Sequence, residues 1–308
     1  MRAIEQDRLG GPEVLKLVEV EPPEPGPAEV LVRVHAVGVN PTDYWHRATG
    51  GLLGRPVRLG WDLSGVVEAT GAGAALYRPG DEVFGVPRLP QAAGTYAEYV
   101  TAPSRHLARK PGVLSHVEAA GLGLAGLTAW QALVDVADVR PGQRVLVHAA
   151  AGGVGHLAVQ VAKARGAYVI GTATAAKHTF VGGLGADEVI DYTTTDFTER
   201  LHDLDVVIDP IGGEYGPRSL RTLRPGGILV ALASPAETYL EKEAARHGRR
   251  ARFMIVEPDR AGLTSLAHLV AVGQLRVEVH TVLPLEQAAE AHEIGQAGRT
   301  TGKIILKP

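Results

Sequence analysis

The chain has 308 residues, no cysteine, and 31 Lys and Arg against 34 Asp and Glu, for a formal charge of −3. That length exceeds a single hydrophobic core and predicts two domains, while the balanced charge argues against nucleic acid as a partner. With 45% hydrophobic and 21% charged residues the composition is that of an ordinary globular protein, and the missing cysteines exclude disulfides.

Taken in chain order, the first third reads as short strands punctuated by glycine and proline: 30–39, which alternates in part and then meets the turn signal Asn40-Pro41, followed by 65–69, 80–85 and 96–100. The texture then changes. The apolar run 145–147 leads into Ala149-Ala150-Ala151-Gly152-Gly153-Val154-Gly155 and a helical pattern at Val154, Leu157, Ala158, Val161 and Ala162. Strands follow at 168–172, 188–190, 205–209 and 227–232, with helical stretches between them. Such alternation predicts a doubly wound parallel sheet, giving an α/β fold with a second, β-rich domain. The basic cluster 246–252 is either a nucleic-acid patch or, as the balanced background favours, a solvated loop or helix end. A last strand ends the chain near 303–306, returning to the first domain.

A strand, a glycine turn and a helix together place backbone N–H groups and the positive helix end where a pyrophosphate docks. In the Gly-x-Gly-x-x-Gly pattern Ala150 takes the first glycine position, and Gly152 and Gly155 the second and third. Gly152 would let the backbone approach the phosphates, and Gly155 would let the helix pack on the strand. Residues Ala151, Gly152, Gly153 and Val154 are therefore the candidate phosphate cradle. Residues 1–5 turn polar too soon for a secretory signal, and the sequence is read as having no apolar run of bilayer-spanning length, so the expectation is a cytoplasmic protein with no membrane partner.

The blocks 8–15, 38–43, 60–67, 80–83, 126–129 and 145–148 resemble, in this order, the medium-chain dehydrogenase/reductase superfamily and its zinc-free quinone oxidoreductase (zeta-crystallin-like) branch. The resemblance covers nearly the whole chain. It implies a GroES-like distorted β-barrel catalytic domain formed by 1–118 and 259–308, around a Rossmann NADP-binding domain at 119–258. It also implies a homodimer, by pairing of Rossmann sheets edge to edge. Zinc-dependent relatives hold the metal with two cysteines and a histidine. Here Asn40 and Trp61 stand at a cysteine and the histidine position, and the twelve histidines show no ligand-like spacing, so no metal is expected.

Without a metal the acceptor must already be electrophilic. The resemblance thus implies an NADPH-dependent reductase transferring hydride to a quinone or α,β-unsaturated carbonyl; an enoyl reductase working on a pathway intermediate and a non-catalytic NADPH-binding protein are the alternatives. Asn40 and Thr128 match polar positions facing the nicotinamide and substrate, and are candidate donors to the developing oxyanion. Each has a plainer reading, Asn40 as a turn residue and Thr128 as a helix N-terminus. Asp43 either orients the cleft or caps the following helix. Tyr44 and Trp45 are either the cleft's apolar wall or core aromatics. Relatives with a tyrosine eleven residues after the asparagine have it used or proposed as a proton donor, but Gly51 occupies that position, leaving solvent or another side chain such as Tyr44.

Cofactor choice follows the second Rossmann strand, where Thr172-Ala173-Thr174-Ala175-Ala176-Lys177 lacks the carboxylate that an NAD enzyme needs. Thr172 and Thr174 supply hydroxyls, Lys177 supplies charge, and Tyr192 matches a tyrosine that holds the 2′-phosphate. Lys177 is otherwise a solvated helix residue. Ala233, Ser234, Phe253 and Ile255 match stretches beside the nicotinamide, or are plain loop and strand. Gly302 and Lys303 match a C-terminal cofactor-contacting stretch, Lys303 being otherwise a surface charge.

Overall fold

A computed structural model describes residues 1–308. They form two compact units, Met1–Leu127 with Val256–Pro308, and Thr128–Ile255.

The first unit opens with a two-stranded antiparallel ribbon, β1 (Arg2–Glu5) and β2 (Lys16–Glu19). Its spine is β3 (Glu29–Val39), which pairs antiparallel with β4 (Leu63–Thr70) over Val30–Ala36 and with β6 (Tyr99–Pro103) over Glu29–Arg33. Strands β5 (Glu82–Gly85) and β7 (Leu107–Arg109) extend the β4 side. Between β3 and β4 lies helix α1 (Pro41–Thr49), started by Pro41 at its first turn and by Asp43, whose carboxylate accepts the Asn40 N–H. Helix α2 (His116–Trp130) follows and continues into a π-helical segment, Gln131–Val136.

In the second unit six strands lie parallel in the order β10-β9-β8-β11-β12-β13: β8 (Arg144–Val147), β9 (Tyr168–Ala173), β10 (Glu188–Asp191), β11 (Leu204–Asp209), β12 (Leu223–Ala231) and β13 (Arg250–Phe253). The sheet is α/β and doubly wound, with helices α3 (Gly155–Ala164), α4 (His178–Gly183), α5 (Phe197–Arg200), α6 (Tyr215–Thr222) and α7 (Tyr239–Arg246) in the crossovers. Leu146, Ile170, Val207 and Leu229 from four neighbouring strands form one buried layer with Leu220 and Leu240. Burial of such side chains is worth about 1.5–3 kcal/mol each relative to exposure. Winding reverses between β8 and β11, and the glycine turn leaves β8 at this reversal, where open α/β sheets bind ligands.

The chain then re-enters the first unit with α8 (Arg260–Ala271), β14 (Val279–Pro284), α9 (Ala288–Gln296) and β15 (Lys303–Lys307). Strand β15 pairs antiparallel with the end of β3, Ile304 opposite Val39.

Three details differ from the sequence reading. The 246–252 cluster is neither one loop nor one helix end: α7 closes at Arg246, Gly248 turns the chain at φ +64, and 250–253 is the sixth parallel strand. Its exposed arginines alternate with half-buried Ala251 and Phe253, a period that the density of charge conceals. The first division between units falls inside α2, at 127/128 against the expected 118/119, because Leu124 in α2 donates its N–H to Asp62 of the first unit. The second falls at 255/256 against 258/259. Finally, although the sequence is expected to hold no such run, the 21-residue helical stretch His116–Val136 is long and apolar enough to cross a membrane; 72% of its apolar 18-residue window is buried within the protein, as in a core helix.

Candidate functional site

In the second unit the turn Ala149–Val154 joins β8 to α3, with Ala149 in the left-handed region at φ +48. A Cβ on Gly155 would lie 2.2 Å from the Ala149 carbonyl oxygen, so this glycine is fixed by the return of the turn onto the helix start. That differs from the expected contact between helix and strand. Gly152 is less confined, since its Cβ would sit 3.2 Å from the same oxygen.

A buried polar chain holds the turn from below. Thr172 Oγ1 accepts the Ala149 N–H at 3.2 Å and bonds His148 Nδ1 at 3.2 Å, while the Thr172 carbonyl takes the Ala150 N–H at 2.9 Å. His148 Nε2 bonds Ser219 Oγ at 2.9 Å, and burial drives the imidazole down to about 3, so it stays neutral. The Thr172 hydroxyl is therefore spent on shaping the turn.

At the end of β9, Thr174 precedes a short 3₁₀ turn, Ala175–Lys177, with Lys177 half-buried and its ammonium destabilised by burial. Tyr192 is 45% exposed. The structure adds a group that the sequence reading excludes: Asp191, closing β10, accepts the Ala175 N–H at 3.2 Å and the Thr193 N–H at 3.0 Å. A carboxylate thus stands against the Thr174–Lys177 turn although none occurs within it, because β10 runs parallel beside β9. Ser234 caps the turn after β12 by accepting the Ala236 N–H, and Ala233 beside it is exposed; Phe253 ends β13 and Ile255 is exposed. Thr128 is half-buried near the C-terminal end of α2, which overturns its helix-N-terminus reading.

In the first unit the predicted residues Asn40, Asp43 and Lys303 meet in one buried network with Asp62. Lys303 is 3% exposed, so it is no surface charge; its Nζ donates to the Val39 carbonyl at 3.0 Å and to Asn40 Oδ1. The Asn40 amide nitrogen then faces the opposite way, donating to the Gly38 carbonyl at 3.2 Å and to Asp62 Oδ2 at 3.3 Å. Asp62 also accepts the Gly38 and Leu124 N–H groups. Both amide hydrogens of Asn40 thus have acceptors, at the long end of the hydrogen-bond range. Gly302, before Lys303, turns at φ +75 against the Glu278 backbone.

Asp43 accepts N–H bonds from Asn40 at 2.7 Å and from Gly60 at 2.9 Å. Its role is to cap α1 and to tie that cap to Gly60. Burial, reinforced by Asp62, raises its carboxyl to about 7. Burial also raises Asp62 and lowers Lys303, each opposed by the other's charge.

Tyr44 packs edge-on to the buried His292 ring, and burial lifts its phenol to about 12. Trp45 is 39% exposed, which removes its core reading. Helix α1 ends at Gly50 with φ +79, and Gly51 follows at φ +52; a Cβ there would meet the His46 ring at 2.4 Å. The tyrosine seen in relatives has no room at this position.

Asp62, His292, Arg47, Tyr96 and His148 were not assigned from the sequence. Asp62 lies inside a quoted block, 60–67, which was its only signal. Arg47 and His292 are separated by 245 positions and meet through the fold alone.

Residues 26–112 match the family described as "Alcohol dehydrogenase GroES-like domain", and 184–306 that described as "Zinc-binding dehydrogenase". The human quinone oxidoreductase is 33% identical, with 99% of this chain and 97% of the relative covered. The structure of the quinone oxidoreductase from Coxiella burnetii superposes with a TM-score of 0.95 at 37% identity, covering 100% of this chain and 99% of the other. That of the Escherichia coli quinone oxidoreductase complexed with NADPH gives 0.89 at 31% identity, covering both chains fully.

Proposed function

Because the chain belongs to the medium-chain dehydrogenase/reductase superfamily, in its quinone oxidoreductase branch, we propose that it is an NADPH-dependent reductase acting without a metal on a quinone or α,β-unsaturated carbonyl. The observation that carries this reading is the buried Lys303–Asn40–Asp62 arrangement. In zinc-dependent relatives a metal stands where Asn40 replaces a cysteine. Here the ammonium of Lys303 already supplies the positive charge beside Asp62, and a second cation would meet its repulsion. No group of three or more His, Asp or Glu is arranged to hold a metal.

NADPH, when bound, would supply a hydride for the quinone ring or the β-carbon of the enone. The pair of electrons displaced from the C=C bond moves to the carbonyl oxygen. Thr128 and Asn40 are the donors toward that oxygen, Asn40 by exchanging its long bond to the Gly38 carbonyl for a charged acceptor. The proton that completes the hydroquinone or saturated carbonyl comes from solvent, since a phenol held near 12 makes Tyr44 a weak acid. The turn 151–154 would hold the pyrophosphate, and Thr174, Lys177 and Tyr192 would hold the 2′-phosphate. Ala233, Ser234, Phe253, Ile255, Gly302 and Lys303 complete the cofactor contacts, Lys303 by fixing Asn40.

The test is NADPH oxidation against a panel of quinones, enones and enoyl thioesters, with and without chelator. Turnover of a quinone or enone unaffected by chelator is expected. Activity confined to enoyl thioesters would make the chain an enoyl reductase, and activity lost to chelator and restored by zinc would contradict the metal-free reading.

We also propose a homodimer, since β13 ends its sheet with a partner on one side only. Sedimentation should give twice the chain mass, and a single-chain mass at micromolar concentration would sink the proposal.

A further inference from the structure

Behind the Asn40 turn lies a second buried chain of polar groups that the reaction does not touch. Arg47 on α1 donates from Nη1 to His292 Nδ1 at 3.0 Å, and anchors itself to the Gly10 carbonyl and to Gln296 Oε1. A guanidinium only donates, so Nδ1 of His292 is an acceptor and carries no proton. His292 is fully buried, and burial together with the Arg47 charge drives it down to about 3. It is therefore neutral, with its single proton on Nε2.

That proton points at Tyr96 Oη, 3.1 Å away. The fully buried tyrosine that accepts from His292 also packs its ring against Gly60, next to Leu59, whose carbonyl takes the Tyr96 N–H at 3.1 Å. Asp43 in turn receives the N–H groups of Asn40 and Gly60. The direction is fixed from Arg47 to His292 to Tyr96, and Gly60, against which the tyrosine ring packs, passes its N–H to Asp43. A single break leaves a buried group unpaired, which is why such chains act as units.

We propose that Tyr96 and His292 are positioning residues for the reduction: through Gly60 and Asp43 they hold the Asn40 peptide, and so the Asn40 amide, in the orientation that meets the substrate carbonyl. This rests on the reductase reading given above. The chain links α9, near the C-terminus, to the turn that starts α1, and neither residue need approach substrate or cofactor.

The experiment combines Tyr96→Phe, which removes one oxygen atom, with Asn40→Ala in a double-mutant cycle read in the full-length protein. Tyr96→Phe alone should lower kcat roughly three- to tenfold, as expected for one buried hydrogen bond, and leave the NADPH Kd unchanged. In the Asn40→Ala background it should have no further effect, because the positioned group is gone. Losses that multiply, or a Tyr96→Phe enzyme with full kcat, would overturn the proposal.

Two measurements stand apart from activity. The imidazole nitrogen shifts of His292 should show the neutral Nε2–H tautomer, and an Nδ1–H tautomer or a cation would overturn the chain's direction. Hydrogen exchange at the Asn40 and Gly60 amides should speed up in Tyr96→Phe while β8 and β11 keep their protection; unchanged exchange there would equally overturn it. If no acceptor is reduced, or Asn40→Ala keeps full turnover, the catalytic reading fails and these two measurements decide the chain by themselves.

Discussion

In the proposed reaction Asn40 concentrates the chemistry of the first unit in one amide. Its oxygen is taken by Lys303 and its nitrogen faces Gly38 and Asp62, so the side chain cannot flip without placing N–H groups against an ammonium. Loss of an oxyanion donor costs about 3 kcal/mol in the transition state. Asn40→Ala is therefore expected to lower kcat by roughly two orders of magnitude with little change in NADPH affinity, measured by steady-state kinetics beside a binding titration. Equal losses in both would instead make Asn40 a binding residue. Asp43 offers a separate readout. Its carboxyl is held near 7 in the folded protein against an ordinary value of 3.8, so the folded state binds a proton that the unfolded chain has released. Its contribution to stability is full below about 4 and is lost as pH rises through 7. A carbon-13 titration of the Asp43 carboxyl should show that midpoint, and one near 4 would contradict it. For the cofactor, Lys177→Ala should erode a preference for NADPH over NADH of about tenfold, or about 1.4 kcal/mol. Asp191→Asn should widen it, by removing a negative charge beside the 2′-phosphate turn. Titrations that find the native protein indifferent to the two cofactors would sink both assignments.

Elements explain why some of this was legible in the sequence and some was not. The strand, glycine turn and helix at 144–164 follow from local signals, apolar run, small residues and helical period, and the order of parallel strands follows from the alternation after them. Strand β13 was hidden because four arginines within 249–252 and 246 obscure a two-residue period on an exposed edge. Lys303 was legible as a site residue but not as a buried one, since its burial comes from β15 pairing with β3 across most of the chain. Asp191 was missed because β10 brings it to a turn that precedes it by more than a dozen residues. Gly51 shows the converse: the sequence marks the absent tyrosine, and the end of α1 supplies the reason. Gly51→Tyr should lower Tm by several degrees, since a left-handed backbone costs an L-residue roughly 1–2 kcal/mol and the His46 ring fills the space of its Cβ. An unchanged Tm together with new enoyl thioester reduction would show that the site can accept the tyrosine after all.

At the scale of the whole molecule the chain divides its labour. The unit Thr128–Ile255 presents a pinned glycine turn at the reversal of a parallel sheet, and the other unit closes Asn40, Asp43, Asp62 and Lys303 into a buried network. The function proposed for this chain is hydride transfer to an acceptor that needs no metal to be electrophilic. The most direct test follows the hydride itself. NADPH carrying deuterium on the transferred position of its nicotinamide ring would be mixed with the best enone and chelator-treated protein, and the product examined by NMR. One deuterium on the β-carbon is expected for each NADPH consumed, with solvent supplying the hydrogen on the α-carbon. Product without deuterium at the β-carbon, or label transfer only after zinc is restored, would contradict it.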